Sequence, residues 1–160
     1  VRSRTIGSQR KRIAPVLSVS CLTISLTGCT GTALQTPEQA RAAAVELLLK
    51  TEAAVDVPWP ETPEPSAEKC PSGVRFGYFV PVKTEMDARS VAQTFQRLWK
   101  SEGLTVEPSQ KDFGGEGGIL YSATADADGA AGAAYQVNAT SVVVRITSPC
   151  ASGSVDDYDE

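Results

Sequence analysis

The chain contains no histidine, and that absence frames every other residue able to do chemistry. It removes Ser-His-Asp triads, Cys-His pairs, histidine general bases and most catalytic zinc sites together. Ser66-Ala67-Glu68-Lys69 fits S-x-x-K, in which a lysine one helical turn away activates a serine nucleophile. Here it follows a proline run and precedes Cys70-Pro71, a poor place for a helix. Lys83-Thr84-Glu85 lacks the glycine of a K-T-G partner and no S-x-N accompanies it, so the match reads as chance. Gly114-Gly115-Glu116-Gly117-Gly118 offers a phosphate-cradle composition without G-K-[ST] and without a following helix to hold the anion. Asp126-Ala127-Asp128-Gly129 opens like a calcium loop but lacks the closing bidentate glutamate, and Asp and Gly together favour a turn. Glu107, Asp112 and Glu116 supply carboxylates for acid-base work, with nothing in the sequence to set their separation. The expectation is a domain without catalysis, cofactor or bound metal.

The informative cysteine is Cys29. Arg2, Arg4, Arg10, Lys11 and Arg12 precede an uncharged run from Ile13 to Leu26, which ends in small residues and Cys29. That is the order of a secretory leader. The run is shorter than the roughly 20 apolar residues of a transmembrane helix. Leu26-Thr27-Gly28-Cys29 resembles the lipobox of bacterial lipoproteins, and the richness in Ala, Gly and Thr is similar to that of actinobacterial chains. The resemblance covers residues 1–29 only. It implies a signal peptide over 1–28, lipidation of Cys29, and attachment to the outer, extracytoplasmic face of the cell membrane. Two or more acyl chains make such an anchor stable.

Once that leader is removed, the five basic residues in it leave ten Lys and Arg of the original 15 against 19 Asp and Glu, a net charge of −9. Such a domain is repelled by nucleic-acid phosphates, which bind through Lys and Arg. Anionic headgroups repel it equally, so the anchor rather than the surface holds it to the membrane. Cys70 and Cys150 are the pair that remains, and outside the cytoplasm they are expected as a disulfide. The bridge closes an 81-residue loop, worth about 4–5 kcal/mol in the chain-entropy model.

The elements that must position these groups follow from capping and periodicity. Residues 29–35 read as the lipidated cysteine and a tether, and 36–150 as one domain. Thr36-Pro37-Glu38 starts a helix with an N-cap, a proline at N1 and an acid in the first turn. It is expected to run to about Ala54, with Ala40, Ala43, Ala44, Leu47, Leu48 and Val55 on the inward face. Residues 55–70 hold Pro58, Pro60, Pro63 and Pro65 and read as an extended linker pinned by Trp59. Val74, Phe76, Tyr78, Val80 and Val82 alternate as the buried face of a strand, with Arg75, Gly77 and Phe79 on the other. Thr84 to Asp87 resembles a capping box for a second helix carrying Val91, Phe95, Leu98 and Trp99, stopped by Gly103. A short strand at 104–107, ended by Pro108, and strands at 119–125, 133–139 and 142–148 complete the pattern. The acidic end, 151–160, is expected to be disordered.

This order predicts a two-layer α+β fold, an antiparallel sheet of about five strands with two helices on one face. Cys70 precedes the first strand and Cys150 follows the last, so those strands should be antiparallel neighbours. The functional expectation is a non-catalytic binding module of the envelope, with a protein partner met through the sheet face, Trp59 and Gly114, Gly115 and Gly117. A small-ligand or lipid carrier with a cavity between helix and sheet is the alternative.

Overall fold

The computed structural model describes residues 34–158. Leu26, Thr27, Gly28 and Cys29, with the whole leader and most of the tether, lie outside the described residues, as do Asp159 and Glu160. Helix α1 spans Pro37–Ala53 and α2 Ala88–Ser101. Six strands form one antiparallel sheet: β1 Ser66–Cys70, β2 Gly73–Lys83, β3 Thr105–Asp112, β4 Ile119–Asp126, β5 Gly132–Asn138 and β6 Ser141–Thr147. Their order is β1-β2-β6-β5-β4-β3. The fold is α+β, with one strand more than expected, and the first long strand does lie beside the last.

Local chemistry explains each helix. Thr36 accepts from the Gln39 N–H at 3.3 Å and Gln39 Oε1 accepts from the Thr36 N–H at 3.0 Å, a reciprocal capping box. At the far end the Trp59 indole N–H donates to the carbonyls of Glu52 and Val55 at 2.9 and 3.0 Å. It thereby satisfies carbonyls that the end of a helix leaves open. Asp87, not Thr84, caps α2, taking bonds from Arg89 N–H and Ser90 Oγ. Thr84 and Met86 instead donate their N–H groups to the Thr140 and Ala139 carbonyls, which prolongs sheet pairing. Gly103, at φ +85°, closes α2: its N–H reaches Lys100 and that of Leu104 reaches Trp99.

The core lies between both helices and one face of the sheet. Phe95 and Trp99 stack at 5.8 Å, and Tyr135 of β5 tilts against each at 5.7 and 5.5 Å. Within it a polar chain is fully paired. The Trp99 indole N–H donates to Thr51 Oγ1 at 3.0 Å, and that hydroxyl donates to the Leu47 carbonyl at 2.8 Å. Both side chains are fully buried, so neither has water as a substitute partner.

Three expectations need correction. The linker ends at Pro65, not at 70. Residues 66–70 pair with β2 through a two-residue turn at Pro71-Ser72, beyond the last proline that would interrupt a ladder. β3 continues through Pro108 to Asp112 because it is an edge strand, where a missing N–H is tolerated. Residues 151–158 are ordered rather than a loose tail. Cys70 and Cys150 are joined, with Cα atoms 6.1 Å apart. This brings Ala151 against Val74, with N–H to carbonyl bonds of 2.8 and 3.1 Å. Ser152 N–H then bonds the Gln35 carbonyl at 3.0 Å, tying the start of the domain to its end. Tyr158, in the short helix Val155–Tyr158, sets its ring edge on Phe76 at 5.1 Å, with the Arg41 guanidinium over both rings. Gly73, at φ +153°, permits the approach, since a Cβ there would lie 2.1 Å from the Ala151 oxygen.

Thr51→Val should lower stability by about 1–3 kcal/mol, because it preserves shape but leaves the buried Trp99 N–H unpaired; the urea midpoint measures this, and an unchanged midpoint contradicts it. Burial raises the Tyr78 and Tyr135 phenols above the ordinary tyrosine range, a shift that the bond from Gln96 partly offsets at Tyr135. The folded state then holds those protons longer than the unfolded state. Stability should be intact below pH ~10 and fall as pH rises through the raised values. Tyr135→Phe should flatten that alkaline decline; an equally steep decline would place its cause elsewhere.

Candidate functional site

Helix α1 packs on β2 and β6, and α2 on β3, β4 and β5, so both cover the same face. Among the described residues no helix packs on the other face of the sheet, and strand register shows what it carries. One row runs Phe79–Arg145–Ala134–Thr124–Glu107 from β2 to β3. The next runs Pro81–Val143–Gln136–Ser122–Ser109. On the other side lies Ser66–Gly77–Thr147–Gly132.

Small residues down the middle and larger ones at the sides hollow this surface into a trough of about 810 Å³. Gly77 is part of the reason. A Cβ there would meet Glu68 Oε1 at 2.9 Å and Ser66 Oγ at 3.2 Å, so glycine leaves room for these β1 side chains to lie across β2. A second depression of about 410 Å³ shares Thr124, Ala134 and Arg145 with the first and continues it.

Two features stand out on this face. Phe79 is 59% exposed, whereas a strand side chain facing water is ordinarily polar. Beside it Glu68 is shared by two guanidiniums, with Arg75 Nε 3.3 Å from Oε2 and Arg145 bonded to Oε1. All three are partly solvated, so each pair contributes at most about 1 kcal/mol to stability. Their weight lies in what they present: two positive charges and one negative charge at the rim of an acidic domain.

Most residues singled out from the sequence lie elsewhere. Trp59 is half-buried on the core with its indole N–H committed to α1, so it serves as an anchor. Gly114, Gly115 and Gly117 form a tight turn at the end of the β3–β4 hairpin. There the Phe113 N–H bonds the Gly118 carbonyl, Gly114 N–H the Asp112 carboxylate and Gly117 N–H the Gly114 carbonyl. None of these glycines lines the trough. The turn lifts Phe113, 55% exposed, with the Lys111 ammonium 4.9 Å above its ring. Cys70 and Cys150 hold residues 148–158 as a strap against Val74 and Gln35.

The weighed chemical motifs resolve into structure. Ser66 and Lys69, three apart in a strand, point to opposite faces, and Ser66 Oγ donates to the Gly77 carbonyl. Asp126 to Gly129 is the β4–β5 turn, closed by the Ala130 N–H on the Ala127 carbonyl. Glu107 and Asp112 stand at positions of opposite parity in β3, on opposite faces of the sheet.

Glu68, Phe79, Gln136 and Arg145 were not singled out from sequence. Only Phe79 left a local trace there, as an apolar residue at a solvent parity of β2. The others acquire meaning from strand order. Protein-family models, curated proteins and solved structures provide no match to this chain.

Because Phe79 packs little, Phe79→Ala should change stability by no more than about 0.5 kcal/mol, the range of surface substitutions. A loss near 3 kcal/mol, typical of a buried phenylalanine, would show it to be structural. Equilibrium urea unfolding distinguishes the two.

Proposed function

We propose that this chain is a lipid-anchored, extracytoplasmic binding module of the bacterial envelope, non-catalytic, whose docking surface is the open face of its sheet. The observation that carries the reading is the exposure of Phe79, 59% accessible, in a trough flanked by Arg145 and Glu68. Phe79 sets an apolar ring on a concave surface at a strand position that patterning would ordinarily make polar. Around it the outer face mixes hydroxyl, amide and charged side chains with Pro81, Val143 and Ala134.

Two further observations support the location. A joined Cys70 and Cys150 suits an oxidising compartment. The leader with Leu26-Thr27-Gly28-Cys29 supplies the anchor. Gln35, six residues beyond Cys29, is bonded to the strap. Six residues reach at most ~20 Å, so an anchored domain works close to its membrane.

The carrier alternative needs room between helices and sheet. That space is filled by Leu48, Phe76, Phe95, Trp99 and Tyr135, each 2% exposed or less. A ligand would have to displace them, which argues for the outer face.

A benzophenone side chain placed at position 79 of the full chain, expressed in an actinobacterial host, should form crosslinks to envelope material. The same probe at Leu49, exposed on α1, should not. Cys29→Ala should abolish both membrane retention and the diacylglyceryl mass. Crosslinks from position 49 alone would move the docking surface to the helices, and an unlipidated product from the unaltered chain would remove the anchor.

A further inference from the structure

We infer that the open sheet face docks on the same face of a second copy of this chain. This inference rests on the reading of that face as the docking surface, and it names the partner.

Net charge makes this the face on which two copies repel least. Among the described residues, the outer parities of the strands set Arg75, Lys83, Lys111 and Arg145 against Glu68, Glu107 and Asp126. Four positive charges against three negative leave +1, on a chain that carries −9 beyond its leader. The acidity of the remaining surface is screened beyond about 8 Å at physiological salt.

The charges of the trough are also divided between its two sides. Toward β1 and β2, Arg75 and Arg145 share the one carboxylate of Glu68, which leaves that side one net positive charge. Across the trough, Glu107 of β3 and Asp126 of β4 line the other side. Among the described residues no ion pair involves either of them. A second copy turned about an axis parallel to the strands lays each positive side over the other's negative side. Such a two-fold contact is self-complementary, and every pair in it occurs twice. Lys83 and Lys111 lie beyond the trough, where long stems keep both ammoniums in water.

Shape follows the same rotation. Phe79 stands up from β2, 59% exposed, while Thr124 and Ala134 leave β4 and β5 low. The ring of one copy is thereby set over the hollow of the other, in the aligned packing of two sheets about 10 Å apart. The face has six strands, and the two central ones have seven residues each. At ~4.8 Å per strand and ~3.4 Å per residue it measures roughly 24 by 24 Å. Two such faces bury on the order of 1,200 Å², the lower end of specific interfaces, as suits a dimer that separates on dilution.

The tether agrees with this axis. Gln35 is bridged to Ala151, beyond the Thr147 end of β6. An axis parallel to the strands keeps both copies of Gln35 at one end, so two short tethers from Cys29 reach one membrane. An axis across the strands would send them to opposite ends.

Sedimentation equilibrium of the full chain in density-matched detergent reads the association directly. The expected result is a monomer–dimer equilibrium that Phe79→Ala and Glu107→Arg each weaken about tenfold. The first loses an aromatic anchor and the second sets like charges opposite each other. Adding Arg145→Glu to Glu107→Arg should restore the dimer, since both members of the pair are exchanged and Glu68 keeps Arg75. The urea midpoint shows that every variant remains folded. A chain still monomeric at about 1 mM would overturn the inference. A dimer indifferent to Phe79→Ala and Glu107→Arg would place self-association on another surface, such as the β1 edge, and overturn it equally. A monomer whose position 79 still crosslinks to other envelope material would leave the docking face standing with a different partner. Failure of both experiments would overturn the two readings together.

Discussion

The structure depends on the pairing of β2 with β6, locked at one end by Cys70–Cys150 and the bonds between Val74 and Ala151. This contact joins the first half of the domain to the last strand. Four antiparallel steps separate β2 from β3 across the sheet, so those two strands point the same way. The connection between them must then cross a face of the sheet, and α2 is that connection. With α1 on the same side, the buried apolar side chains of both helices go to one face. Among the described residues no helix packs on the other face, and the proposed docking surface lies there.

That asymmetry also explains the distribution of chemistry. The inner face concentrates aromatic rings, and its buried hydroxyls are paired: Thr51 links Trp99 to the Leu47 carbonyl, and Ser148 accepts from the Phe76 N–H and donates to the Pro149 carbonyl. The outer face carries hydroxyls, an amide and ion pairs that water already satisfies, so its substitution costs little stability. Phe79, Arg145 and Gln136 can therefore be substituted without disturbing the core. The strap of residues 148–158 adds a second economy. It fixes Gln35 beside Ala151 and Ser152, so the start of the domain is held to its covalently closed corner.

Much of this was legible because it is written locally. Thr36-Pro37 and Gly103 mark helix ends by chemistry that needs no tertiary partner, and Val74 to Val82 shows its buried face by period alone. The cysteines, placed outside the first and last long strands, also announced which strands are neighbours. What stayed hidden depends on contacts distant in sequence. β1 is short and follows prolines, so only its pairing with β2 identifies it. Pro108 reads as a stop unless its strand is known to be an edge. Tyr158 looks like part of an acidic tail until the disulfide brings it to Phe76. Thr51 reads as an ordinary helix residue until Trp99, 48 positions later, finds it. The trough was the least accessible feature: its lining comes from six strands, and no stretch of sequence contains more than a fragment of it.

The most direct measurement of the central claim is hydroxyl-radical footprinting of the full chain in its native envelope and after extraction into detergent. If the open sheet face is the working surface, Phe79 and Val143 should be protected in the envelope and become reactive on extraction, while Leu49 on α1 reacts equally in both. Protection of Leu49 with Phe79 equally reactive in both states would contradict the account and assign the working surface to the helices.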